Sequence, residues 1–389
     1  MEGGMLKGTR IIEIEALGPA PFAGMLLADL GADVIVVHRK QAPMPGLPER
    51  SLLDRGKRSI ALDLRDAGDV AVLMHLIATA DGLIEGFRPG VMERLGLGPD
   101  ACLAVSPKLV YGRMTGWGQH GPLARTAGHD MNYTGVSGAL WYASLPGEPP
   151  MAPPTLTGDI GGGALYLVIG MLAGIMNARA GGPGTVVDAA IVDGSAHMMN
   201  LLMVLGQSGG LVAERGQSLL DGPHWCRVYR SADGGFISVQ CIEPKFYTLF
   251  LDRLGLAADP RFAKQFDRDL WPELGSRLAA IFAAKPRDEW TSLFEGSDAC
   301  VSPVLSPWEA AQHPHMAARG SWLAVDGVLQ AAAAPRFSGW AQKTPAKGPA
   351  RDEHGAEIRA ELADPGTAVE ISPFQAAEIY HWLPGPTLA

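Results

Sequence analysis

The chain has 389 residues, 47% of them hydrophobic and 19% charged, which is enough apolar material for two domains with full cores and no external staples. A formal charge of −9 argues against general attraction to nucleic acid or anionic lipid, so any anionic ligand must be held by a local basic cluster. The four cysteines lie far apart, with no CxxC pair or His-rich spacing for zinc, and the amino terminus lacks the apolar stretch of a signal peptide; a reducing cytoplasm is the expected compartment.

Ile11 to Ile14 reads as a strand, Phe22 to Leu30 as a helix stopped at Gly31, and Asp33 to Val37 as the next strand, which makes one βαβ unit. Strands are expected again at Arg58 to Leu64, Gly82 to Glu85 and Lys108 to Met114, with helices at Ala67 to Ala80 and Ala101 to Ser106. This alternation predicts an α/β, Rossmann-like domain with a parallel sheet and room for a nucleotide-sized ligand at the carboxyl ends of its strands. The segment GWGQHGPLARTAGHD, from Gly116 to Asp130, is too long and irregular for a bare connection and is expected to carry function. Two helices are expected next, Ala164 to Arg179 and Val192 to Leu205, around a strand within Gly184 to Ile191. The uncharged run Gly161 to Asn177 is shorter than the ~20 residues of a membrane span and reads as a buried helix.

After Gln207 the periodicity is lost. The pattern predicts a large domain over 1–206, a linker over 207–222, a smaller α+β domain over 223–330, and a return segment over 331–389. In the smaller domain, Cys226 to Arg230 and Phe236 to Ile242 flank an Asp-Gly turn, and helices are expected at Pro244 to Leu254, Leu270 to Ala283 and Pro286 to Phe294.

Proton transfer at a carbon centre needs a base on one face and, for inversion, an acid on the other. His129 in GHDMNY and Asp159 in TLTGDIGGG suit those roles, since both follow a glycine and both stand where a loop feeds a helix. Competing with that role, Asp130 and Asp159 are equally suited to capping those helices, and Glu243 to capping the helix opened by Pro244. A lone histidine is more often structural than catalytic. Arg39, Lys57, Arg58, Arg65 and Arg88 form a second constellation near strand ends, with Arg39 the best placed to meet a phosphate because it directly follows the apolar run VIVV. Met198, Met199 and Met203 suit an adaptable acyl surface, although a core stripe is the more ordinary use of such residues. No glycine fingerprint follows Ile14, which argues against a dinucleotide-dependent dehydrogenase.

Several motifs in order then match something known: GTRIIEIEALGPAPFAGMLLADLGADVIVVHR, GKRSIALDLR, FRPGVMERLGLGP, GRMTGWGQHGP, AGHDMNY, VDGSAH, ADGGFISVQCIEPKFY and DACVSPVL. The chain resembles the alpha-methylacyl-CoA racemases of the family III CoA-transferase superfamily, from Lys7 to about Pro335. The resemblance implies an interlocked homodimer whose active site joins the large domain of one subunit to the small domain of the other. It implies that His129 and Asp159 are the acid/base pair, that Glu243 orients His129 from the partner, and that (2R)- and (2S)-2-methylacyl-CoA thioesters are interconverted through an enolate. It further implies that Arg39, Leu62, Asp63, Leu64, Arg65, Arg88, Gly128, Asp130 and Tyr133 bind coenzyme A, which is part of the substrate, with no other cofactor and no metal. The backbone N–H of Asp130, at the expected start of a helix, is the candidate donor to the enolate oxygen. True transferases of the superfamily use the aspartate aligned with Asp159 as a nucleophile and generally lack the histidine and glutamate present here, so proton transfer is favoured over acyl transfer. Trp225 stands where the racemases carry a smaller aromatic residue. The terminal PTLA does not read as a peroxisomal address.

Overall fold

Strands that are apolar on both faces belong in a parallel sheet covered by helices. In the computed structural model, which describes residues 4–41, 48–340 and 344–363, six such strands form one: β1 (Arg10–Ile14), β2 (Asp33–His38), β3 (Arg58–Ala61), β4 (Gly82–Glu85), β5 (Val110–Thr115) and β6 (Thr185–Ala190). All pair in parallel in the order β3-β2-β1-β4-β5-β6. The chain starts mid-sheet, winds out to β3, then returns to β4 and winds out the other way, so the order reverses between β1 and β4. It is beyond the carboxyl ends of the strands at such a reversal that open α/β sheets bind ligands.

The helices of this part of the chain are α1 (Pro19–Asp29), α2 (Ala67–Ala78), α3 (Val91–Arg94), α4 (Pro99–Val105), α5 (Asp130–Ser137), α6 (Leu165–Arg179) and α7 (Ile191–Met198), with α8 (Asn200–Gln207) following in the second unit. Strand alternation sends Ile12 and Ile14 to one side, with Leu73 and Ile77 of α2, and Ile11 to the other, with Leu27 of α1 and Met171 of α6. A π-helical segment, Leu156–Ala164, runs directly into α6. Together, Leu156–Arg179 is long and apolar enough to cross a membrane. Leu167 and Met171 instead pack against Gly112 of β5, while Leu165, Ile169 and Met176 are exposed. The helix expected to be buried is therefore buried on one side only, because a single sheet face is available to it. The single helix expected over Val192 to Leu205 is two, α7 and α8, and α8 buries none of its residues.

The chain divides into two compact units. The first takes residues up to Ser137, Pro153–Met198 and the chain from Gly320; the second takes Gly138–Ala152 and Met199–Arg319. The segment read as a linker, 207–222, lies inside the second unit, where Ser218 and Asp221 tie its turns together. In the second unit β7 (Cys226–Arg230), β8 (Phe236–Gln240) and β9 (Val301–Val304) form an antiparallel sheet. Against it pack α9 (Pro244–Leu254), α10 (Trp271–Phe282) and α11 (Arg287–Phe294), around an aromatic core that includes Phe250, Phe282 and Trp290. Asp233 closes the β7–β8 turn by accepting from Ser231 Oγ and from the backbone N–H of Gly235.

Two short helices, α12 (Pro307–Gln312) and α13 (Pro314–Ala318), lead to a hairpin of β10 (Trp322–Val325) and β11 (Val328–Ala331). That hairpin, read from sequence as the end of the small domain, belongs to the first unit, where the Arg55 guanidinium donates to Gln330 Oε1 and to the Ala331 carbonyl. Residues 344–363 then run beside β3: the Ala61 N–H donates to Asp352 Oδ1 at 2.7 Å, and α14 (Gly355–Ala363) follows. The remainder of the expected return segment, 364–389, lies outside the described residues.

Candidate active site

Glycine-rich turns flank the strand ends at the reversal. Gly18, which follows β1 and caps α1, has φ +71°, a conformation open to glycine at little cost, and a Cβ there would stand 4.0 Å from Asp159 Oδ2. Asp159 is thus placed beside the end of β1 and the start of α1. It sits within the π-helical segment, where the Ile160 N–H donates to the carbonyl of Thr155, five residues back, at 3.0 Å. Such wide turns add a residue per turn and re-aim side chains, and they recur at functional sites. Nothing in the sequence announced this one beyond the glycine run GDIGGG.

His129 directly precedes α5 and acts as its cap through the backbone: its carbonyl accepts from Asn132 at 2.8 Å, and its own N–H donates to Asn132 Oδ1 at 2.9 Å. The imidazole is left exposed. Asp130 is buried, and its side chain does not cap α5. Its Oδ1 accepts from the backbone N–H groups of Gly158 and Asp159, both at 2.9 Å. One carboxylate therefore ties the turn bearing His129 to the turn bearing Asp159. Asp159 itself is half-buried, and its carboxyl is pushed up to about 6, chiefly by burial and then by the charge of Asp130, with His129 pulling the other way. A carboxyl so placed can hold a proton in one step and release it in the next near neutral pH.

Tyr133 packs edge-on against Trp117, with ring centroids 4.8 Å apart, and its hydroxyl donates to the Gly128 carbonyl. A Cβ on Gly116 or Gly128 would lie 2.0 or 2.7 Å from the Tyr133 ring, so both glycines are there to admit it. Burial and the charge of Asp159 raise the Tyr133 hydroxyl, while Arg88 opposes them. Arg88 itself is exposed, in the loop that follows β4.

The remaining coenzyme A candidates fare unequally. Arg39 is half exposed and steadied by Glu15, which accepts from its N–H at 2.8 Å and its Nε at 3.1 Å; Glu15 also pairs with Arg351 at 2.8 Å. Leu62 is buried in the core, so only its backbone is available to a ligand, while Leu64 is partly buried against that core. The Asp63 N–H donates to Asp69 Oδ2 and its carboxylate accepts from the Arg65 N–H, and Arg65 itself is exposed. Two further basic residues are spoken for. Lys57 is fully buried, 2.7 Å from Glu13 and 3.2 Å from Asp54, and Arg58 is paired with Asp33, Glu357 and Glu361. Among the described residues no cluster of three or more His, Cys, Asp and Glu side chains is placed to hold a metal.

The sequence model of CoA-transferase family III matches residues 6–355. The chain belongs to CoA-transferase family III. This family III chain is 40% identical over 360 residues to an alpha-methylacyl-CoA racemase of Mus musculus, covering 91% of this chain and 92% of that protein. It is 42% identical over 320 residues to an alpha-methylacyl-CoA racemase of Homo sapiens, covering 82% of each. Among solved structures, a CAIB/BAIF family protein from Brucella suis superposes with a TM-score of 0.76 at 28% identity, over 92% of this chain and 100% of that one.

The family III chain carries Glu243 in its second unit, whereas His129 and Asp159 are in the first. Glu243 stands at the N-cap of α9, yet its side chain makes no capping hydrogen bond and is exposed. Its carboxylate is free of the structural task that position suggested. Met198 lies against the π-helical segment, where a Cβ on Gly161 would meet its Cε at 3.3 Å, while Met203 is exposed. Trp225 is wholly buried in the aromatic core of the second unit, its Nε1 donating to the Gln265 carbonyl at 2.9 Å, so its bulk serves packing.

Proposed function

We propose that this family III protein is an alpha-methylacyl-CoA racemase, an isomerase that interconverts (2R)- and (2S)-2-methylacyl-CoA thioesters. The relatives at 40% and 42% identity carry that name, and the observation that most supports the assignment is the bracketing of the His129 and Asp159 turns by one buried carboxylate at the strand reversal. One member of the pair takes the proton from the carbon next to the thioester carbonyl. The C–H electron pair becomes the enolate double bond, the carbonyl electrons move to oxygen, and the other member returns a proton to the opposite face. The backbone N–H of Asp130, first residue of α5, is the donor to that oxygen, favoured by its helix-terminal position.

Coenzyme A binding falls to Arg39 and Arg88, to exposed Arg65, to the backbone of Leu62, Asp63 and Leu64, and to the Gly128–Tyr133 turn. No further cofactor is required for this chemistry. The working form is a homodimer in which the partner subunit's Glu243 orients His129. Exposed Leu165, Ile169 and Met176 on α6, and Leu201, Met203 and Val204 on α8, are the kind of apolar surface that a second subunit covers.

The test is deuterium uptake at the α-carbon from heavy water, with each enantiomer of a 2-methylacyl-CoA. Wild type should exchange both, and His129→Ala should lose interconversion of the two and exchange from the enantiomer that gives its proton to His129. Unchanged exchange in that variant overturns the assignment, as does coenzyme A exchange between an acyl-CoA and a free acid in the absence of deuterium uptake.

A further inference from the structure

The buried carboxylate of Asp130 lies one residue from His129 and takes both of its backbone donors from the turn that carries Asp159. No side-chain cation is hydrogen-bonded to it among the described residues. Its fit is close: a Cβ on Gly158 would fall 2.4 Å from Asp130 Oδ1 and 2.9 Å from the Cγ2 of Thr134, so the Gly158 backbone passes directly over the carboxylate. Thr134, one turn along α5, fixes the base of the bracket by donating its hydroxyl to the Asp130 carbonyl at 2.9 Å.

Resting on the proton-transfer assignment above, we propose that Asp130 is a positioning residue whose side chain sets the spacing of His129 and Asp159 and the field in which Asp159 exchanges its proton. The charged and titratable groups bearing on Asp159 all come from the start of α5: Asp130, His129 and, through its hydroxyl, Tyr133. Against the same segment α1 brings Gly18, and α7 brings Gly194, Ser195 and Met198, none of them charged. The negative charge of Asp130 disfavours a second negative charge on Asp159, as the elevated Asp159 carboxyl reflects. Without it, Asp159 would hold its proton less readily and be the weaker base.

Asp130→Asn separates charge from geometry, because the amide oxygen can still accept from both N–H groups while the charge is gone. In the full-length protein, titration of the 13C-labelled Asp159 carboxyl should show its midpoint about one unit lower in this variant. For the enantiomer that gives its proton to Asp159, the low-pH limb of kcat/KM for deuterium exchange should move down by the same amount, since that limb reports ionisation of the free enzyme. Asp130→Ala removes the bracket as well and should lose about 100-fold in exchange from both enantiomers. An unmoved midpoint in Asp130→Asn overturns the electrostatic role, and exchange within threefold of wild type in Asp130→Ala overturns the positioning role. The carboxyl titration needs no turnover, so it decides the electrostatic role of Asp130 even if wild type exchanges no 2-methylacyl-CoA, a result that would sink the racemase assignment instead.

Discussion

Glu13, within β1, and Asp159, beside the end of that strand, are both raised by burial, to about 7 and about 6. Their surroundings differ in kind. Glu13 faces the Lys57 ammonium at 2.7 Å, and Lys57 in turn reaches Asp54, whose carboxyl is held down by the His38 hydrogen bond and by Lys57 despite its burial. That group has its own cation, Lys57, held between the two carboxylates beneath the helix α1, and Gly24 is needed to let the helix approach: a Cβ there would stand 1.7 Å from Glu13 Oε2. Asp159 is half-open, has a second carboxylate as its neighbour, and meets only the pull of His129. Burial alone therefore does not mark a functional acid. A raised, half-open carboxyl with no cation hydrogen-bonded to it is the better guide.

If that contrast is right, the largest effect belongs to the closed group. Lys57→Met should cost about 3–5 kcal/mol in urea denaturation by leaving buried carboxylates without their cation, and a cost below ~1 kcal/mol would erase the distinction. Gly158→Ala should cost about 1–3 kcal/mol, because its methyl collides with Asp130, and should depress α-proton exchange with it; denaturation and deuterium uptake measured on one preparation would show whether the two losses travel together. Asp159→Asn tests the open side with the opposite sign. The folded value near 6 lies above the ~3.9 of an unfolded aspartate, so the stability contributed by this group is whole below about pH 4 and lost as pH rises through 6. At pH 7.5 the variant should accordingly be more stable than wild type, by about 1 kcal/mol once solvent screening at a half-exposed group is allowed for, and the gap should close in denaturation curves below about pH 4. Smallest in stability is Arg39→Ala, expected within ~0.5 kcal/mol of wild type because its ion pair with Glu15 is half exposed, while KM for an acyl-CoA rises about tenfold and kcat holds.

Much of the first unit was legible because its signals are local. Continuous apolar runs such as VIVV and GLIE declared parallel strands, and β4 and α9 occupy the residues read for them from sequence. His129, Asp159 and Glu243 could be named from motif order, but a capping role stayed open for Asp130, Asp159 and Glu243 and a structural one for His129, since an N-cap and a catalytic turn draw on similar residue types. The structure separates those roles: Glu243 caps nothing with its side chain, and Asp130 holds a turn 28 positions away. Local pattern also missed the break between α7 and α8, for which neither glycine nor proline gave notice, and the return of the β10–β11 hairpin to the first unit.

The order of apolar and glycine punctuation by itself determined the α/β class and the parallel sheet, because strand and helix periods are properties of neighbours along the chain. Only the tertiary structure decided which ionisable groups are answered and which are not. Lys57 and Arg39 look alike in sequence, yet one is sealed between two acids and the other is half exposed. That difference depends on desolvation and on partners as far as 44 positions from Lys57 and 312 from Arg39, distances over which the chain carries no local signal.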